Sequence, residues 1–118
     1  FYGSGQHFKK DVDAALSWME RSAHQNYAPA QYQLGSFYIQ GNGVKADNQK
    51  AFSLIKSAAD QGLSKAQYDL GLMYYEGLGT DANKSQSYHY WTLAQKAGDK
   101  DAEHNVKVLC QNNPKVCQ

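Results

Sequence analysis

One stretch of this chain is written twice. The segment AQYQLGSFYIQGNGV from Ala30 returns as AQYDLGLMYYEGLGT from Ala66, a spacing of 36 residues. Identities fall at Ala30/Ala66, Gln31/Gln67, Tyr32/Tyr68, Leu34/Leu70, Gly35/Gly71, Tyr38/Tyr74, Gly41/Gly77 and Gly43/Gly79, and resume at Ala58/Ala94 and Gly62/Gly98. A fixed period of this length predicts stacked supersecondary units, each too small to bury its apolar face alone. Such stacks hold partners on an extended concave face. The period runs outward as well. Tyr2, Gly5, Asp11, Ala15 and Ala23 fall on Tyr38, Gly41, Asp47, Ala51 and Ala59, while Ala102, Val106 and Cys110 take the places of Ala66, Leu70 and Tyr74. The expected plan is the second half of a unit over residues 1–27, whole units over 28–63 and 64–99, and a closing helix with a tail over 100–118.

Each unit reads as two helices. Ala30, Leu34, Phe37 and Tyr38 keep the spacing of one helical face. Gly35 interrupts that helix at a cost of about 1 kcal/mol relative to alanine. Its return as Gly71 predicts that another helix packs too close for a Cβ. Gly41 is suited to end the helix and Gly43 to turn the loop. Asp47 is placed to cap the second helix, with Ala51, Phe52, Ile55, Ala58 and Ala59 inward and Gly62 as its stop. The next unit repeats this with Tyr88, Trp91 and Ala94 inward and Gly98 as the stop. At the opposite end, Leu16, Met19 and Ala23 are expected to pack against a preceding helix that the chain supplies only as a stub. Opening inside a unit without an initiator methionine is the expectation for a mature or trimmed product, with any signal peptide upstream.

The full pattern comprises Ala28, Ala30, Gln31, Tyr32, Leu34, Gly35, Tyr38, Gly41, Gly43 and Val44, then Asp47, Lys50, Ala51, Ala58, Ala59 and Gly62. It resembles the Sel1-like repeat, which is related to the tetratricopeptide repeat. The second unit departs from it at Thr80, Asn83, Ser87 and Gln95. The resemblance covers nearly the whole chain and implies an all-α fold, a right-handed α-solenoid of antiparallel helix pairs with a concave groove lined by the first helices. It also implies an adaptor or scaffold role, often in a bacterial envelope, or inhibition of a secreted toxin.

On that arrangement, groove-facing positions are Tyr32, Ser36, Ile39 and Gln40 in one unit and Tyr68, Leu72, Tyr75 and Glu76 in the next. His104, Val108 and Gln111 follow in the closing helix. Tyrosine joins a large contact area to a polar tip and suits binding hot spots. Tyr32 and Tyr68 also belong to the repeat pattern, so packing alone is an equal account of them. Ser36, Ile39, Leu72 and Tyr75 vary between units and better represent specificity.

Other features narrow the function. The formal net charge of the 118-residue chain is +1, only 19% of residues are charged, and no run of Lys or Arg makes a basic stripe. A nucleic-acid partner would call for such a stripe. No stretch approaches the roughly 20 apolar residues that span a bilayer, so no membrane insertion is expected. His7, His24, His89 and His104 show no metal spacing, and no nucleophile, Walker or zinc-protease motif is present. The glycine-rich runs at 41–43 and 77–79 follow helices rather than strands and recur once per unit, as turns would. No cofactor, metal or catalytic residue is therefore assigned.

Cys110 and Cys117, the only two cysteines, flank the helix-breaking Pro114. They read as a disulfide stapling the tail to the last helix, with two independent thiols as the alternative. The separation is a poor zinc site. A disulfide places the chain in an oxidising compartment, periplasmic or secreted. The expected function is a non-catalytic module that binds a protein or peptide in the groove. The alternative is a dedicated inhibitor, an immunity protein blocking a secreted toxin such as a phospholipase.

Overall fold

A computed structural model describes residues 4–41 and 44–118, with side chains from residue 13 onward. The expected turn at Gly43 lies outside the described residues. Among the described residues six helices follow one another: α1 (Ser4–His24), α2 (Ala28–Gln40), α3 (Asn48–Asp60), α4 (Ser64–Glu76), α5 (Lys84–Lys96) and α6 (Lys100–Asn112), then a 3-10 turn, Pro114–Cys117. Each packs chiefly on its neighbours in sequence. A chain of this length folded as a sphere would have a radius of gyration of about 13.5 Å, whereas this one has 16.1 Å and extents of 55 × 25 × 25 Å. It is an elongated all-α solenoid. No helix among the described residues is long and apolar enough to cross a membrane.

The breaks between helices have local causes. The Asp47 carboxylate accepts a hydrogen bond from the Lys50 N–H at 3.1 Å, and Asn83 does the same for Gln86 at 3.1 Å. The departure from aspartate at position 83 thus keeps the cap. Asp99 caps α6 through the N–H groups of Asp101 and Ala102. Gly41 takes φ +73° and sends its N–H to the Phe37 carbonyl at 2.8 Å. That conformation is nearly free only for glycine. The tighter turn between units also needs positive φ, and it is filled by Gly62, Gly98 and, 36 residues before Gly62, by Asn26 at φ +69°.

Inside each unit the two helices touch at a glycine. A Cβ on Gly35 would sit 2.7 Å from Ile55 Cγ1, and a Cβ on Gly71 would run into the Trp91 indole. Ile55 and Trp91 occupy the same place in successive units, so one seam accommodates very different volumes. In the larger case, hydrogen bonds fix the fit: Trp91 Nε1 donates to the Tyr68 carbonyl at 3.0 Å, and Ser87 Oγ donates to the Gly71 carbonyl at 2.7 Å. Ala51, Ala58, Ala59 and Ala94 are buried along the seam.

One sequence expectation needs correction. The period puts a helix end at Gly5 and a cap at Asp11, yet α1 runs unbroken through both. His7 replaces the second glycine of the loop, and Gln6, Lys9 and Lys10 favour helix, so nothing forces a turn. Within α5, Tyr88 packs half-buried against the Trp91 cluster, as expected, and Tyr90, which the pattern did not select, is buried more deeply in the main core. Its ring stacks on Tyr74 at 6.0 Å and its hydroxyl donates to Asp60 at 2.9 Å. Phe52, expected inward, packs half-buried against the main core and meets Tyr74 edge-on at 5.3 Å. Leu16, Met19 and Ala23 are buried in one core with Ala30 and Leu34.

Polar side chains lock the joints between units. Gln31 Nε2 donates to the Ala23 carbonyl at the end of α1, and Gln67 Nε2 donates to the Ala59 carbonyl at the end of α3. In the first joint the Gln31 Oε1 accepts from Gln61 Nε2 at 2.8 Å. In the second, Gln67 Oε1 is buried without a partner among the described residues. At the C-terminus Cys110 and Cys117 are joined as a disulfide with Cα atoms 5.7 Å apart. The terminal turn lies on α5 and α6, with Val116 against the cluster of Trp91 and Leu109. The two tryptophans differ sharply: Trp91 is 3% exposed and Trp18, on α1, is 56% exposed.

Candidate partner-binding groove

α4 and α6 are first helices of successive units, and between them lies a cleft of about 250 Å³. Leu72, Tyr75 and Glu76 line it from α4, His104, Asn105, Val108 and Leu109 from α6, and Trp91 from α5. Five candidate positions therefore converge: Leu72, Tyr75, Glu76, His104 and Val108. Tyr75 is 43% exposed and Val108 40% exposed, and they are two of the four large apolar side chains that the described residues leave in solvent. The Tyr75 ring leans on the Trp91 ring at 5.8 Å with an interplanar angle of 35°, so it stands as a fixed wall. Lys84 Nζ lies 5.9 Å over the same ring and reaches Asn113 Oδ1 at 3.5 Å.

The remaining candidates do not line this cleft. Tyr32 is half-buried, with the Asp69 carboxyl of α4 close enough to act on its hydroxyl across two units. Burial, reinforced by Asp69, pushes the Tyr32 hydroxyl up to about 12. Burial likewise pushes the Asp69 carboxyl up; the Tyr32 hydroxyl opposes this and the Asp99 carboxylate adds to it. Ser36 Oγ donates back to the Tyr32 carbonyl at 3.1 Å. Ile39 packs partly against the main core, and Tyr68 joins the Trp91 cluster. Gln40 and Gln111 are exposed.

Trp91, Asn105 and Leu109 are cleft residues that sequence reasoning did not select. Trp91 faces the core by the repeat pattern and also floors the cleft, because its indole spans from Gly71 to the cleft. A comparison of Ile55 with Trp91 as varying positions would have flagged it. Among the described residues no group of three or more His, Cys, Asp or Glu side chains gathers as a metal site would require. His24 ends α1 and His89 meets Tyr90 edge-on at 4.9 Å, far in sequence from the cleft residue His104.

The Sel1 repeat model matches residues 1–27, 28–63 and 64–99. The chain belongs to the Sel1 repeat family. Among solved structures, this Sel1 chain is similar to a protective antigen of uropathogenic Escherichia coli strains that displays an SLR fold. They share 41% identity at TM-score 0.71, over 73% of this chain and 18% of that one. A Sel1 repeat protein from Oxalobacter formigenes is 29% identical at TM-score 0.80, over 83% of this chain and 41% of that one. Helicobacter pylori cysteine rich protein B is 26% identical at TM-score 0.71, over 74% and 65%. The Sel1 chain thus spans less than two thirds of the length of each. No curated protein matches it. Sel1 repeats generally mediate protein–protein interaction and generally serve as non-catalytic scaffolds.

Proposed function

We propose that this Sel1-repeat protein is a non-catalytic interaction module of a bacterial envelope that holds a protein or peptide segment in the groove lined by α2, α4 and α6. One observation carries the reading: Tyr75 and Val108 are held in solvent on facing helices and share a cleft with Leu72. Exposed aromatic and aliphatic side chains that converge in this way mark interaction sites. The Cys110–Cys117 disulfide supports an oxidising compartment. The test places a photo-crosslinking amino acid at Val108 or, as a control, at Ser53 on α3, and exposes each protein to envelope extract. Adducts from Val108 that vanish in the Tyr75→Ala background support the groove. Adducts from Ser53 alone would put the partner on the second helices and reject it.

A further inference from the structure

The cleft between α4 and α6 also indicates what chemistry its partner carries, an inference that rests on the groove reading. At about 250 Å³ it falls below the roughly 300–1,000 Å³ of small-molecule sites, and suits one or two side chains of a peptide. Leu72, Tyr75, Trp91, Val108 and Leu109 make its surface largely apolar. Among the lining residues Glu76 is the sole carboxylate, and none of them is Lys or Arg. Glu76 is exposed and makes no hydrogen bond or ion pair among the described residues. The second carboxylate of α4, Asp69, is committed to Tyr32 and feels Asp99 rather than a cation. The nearby ammonium of Lys84 reaches Asn113. An apolar cleft edged by an unpaired carboxylate complements an apolar side chain with a cation beside it.

We infer that the cleft takes a peptide segment of a partner protein in which a large apolar residue stands next to Lys or Arg. The apolar side chain packs between Tyr75 and Val108, and the cation pairs with Glu76. Such a pair at a solvent-open edge contributes selectivity more than affinity.

A phage-displayed library of random twelve-residue peptides, panned on the intact chain and on its Glu76→Lys variant, tests this. Glu76 ends α4, where a lysine is favourable to the helix dipole, so the variant is expected to fold. The wild type should enrich peptides pairing an apolar residue with Lys or Arg, and Glu76→Lys should lose that preference. By calorimetry, Glu76→Gln should weaken a selected peptide about two- to fivefold and remove most of the salt dependence of its binding. An enrichment without basic residues, an enrichment of acidic residues that points to Lys84, a basic preference that survives Glu76→Lys, or no enrichment at all overturns the inference. Tyr75→Ala separates this result from the groove reading. Peptides that need Tyr75 but ignore Glu76 reject only the charge assignment, and peptides indifferent to Tyr75 reject both.

Discussion

The second joint between units lacks hydrogen bonds that the first one makes, and one of them can be restored by a single substitution. In the first joint Gln61 Nε2 donates to Gln31 Oε1 at 2.8 Å. Thirty-six residues on, Ala97 stands in place of Gln61, and Gln67 Oε1 is left buried with no partner in a residue only 7% exposed. The backbone at Ala97 (φ −83°, ψ 0°) repeats that at Gln61 (φ −87°, ψ 0°), so a glutamine there can reach in the same direction. A typical intramolecular hydrogen bond contributes about 0.5–1.5 kcal/mol net, and a desolvated unpaired acceptor costs about 1–3 kcal/mol. Ordering the new side chain offsets up to about 1.5–2 kcal/mol, less where it stays partly exposed. Ala97→Gln should therefore stabilise the fold by about 1 kcal/mol. That corresponds to a rise in Tm of about 3–5 °C, or to about 0.5 M in the urea midpoint with an unchanged slope. The measurement is urea unfolding followed by helical circular dichroism. Ala97→Met fills the same space without an amide and should give little gain. Equal stabilisation by Met and Gln, or a gain from Ala97→Gln that persists in a Gln67→Leu background, would refute the reasoning.

Leu70→Ala and Ile55→Ala each empty a fully buried site and should lower stability by roughly 2–5 kcal/mol, whereas Val108→Ala on the cleft wall should change it by under about 1 kcal/mol; comparable losses at all three positions in urea would contradict the assigned core. Tyr32 should ionise late in an ultraviolet titration, near pH 12, because burial and then Asp69 oppose its charge. Its folded value lies above the unfolded one of 10.0, so its contribution is complete below pH 10 and is lost as pH rises through about 12. The amplitude near pH 12 should fall by one tyrosine in Tyr32→Phe, and that step should move earlier in Asp69→Asn. Reducing the Cys110–Cys117 bond should cost about 2–3 kcal/mol by the loop-entropy account and loosen the turn that holds Val116; a thermal midpoint unchanged by reductant would show that the staple adds nothing.

The repeated segment made the helix plan legible, because caps, positive-φ turns and close-approach glycines depend on residues a few positions apart. Asp47, Gly41 and the Gly35/Ile55 contact are such cases. Contacts between units are harder to read. A shift of 36 residues identifies equivalent positions, but the rotation between stacked helices decides which side chains meet. Sequence comparison thus paired Tyr32 with Tyr68, while in the fold Tyr32 meets Asp69. Tyr90 is buried beyond what the repeat pattern shows for a similar reason: Tyr74 and Asp60, one from each side of the joint, offer a ring and a carboxylate to it. The candidate groove was legible where two first helices leave a gap, at Leu72, Tyr75, Glu76, His104 and Val108. It was not legible around Tyr32 and Ser36, whose polar groups are turned to neighbours.

The contrast between Trp18 and Trp91 gives the molecule two optical reporters, one near each end. An indole in water and an indole packed against glycine and tyrosine emit at different wavelengths, so the two signals separate without labelling. Trp18 follows the α1 end, and Trp91 follows the α4–α5 seam and the floor of the cleft. Because each helix packs chiefly on its sequence neighbours, the ends of such a stack can loosen independently. Emission recorded at both wavelengths during unfolding will show whether the array opens from one end or as a whole.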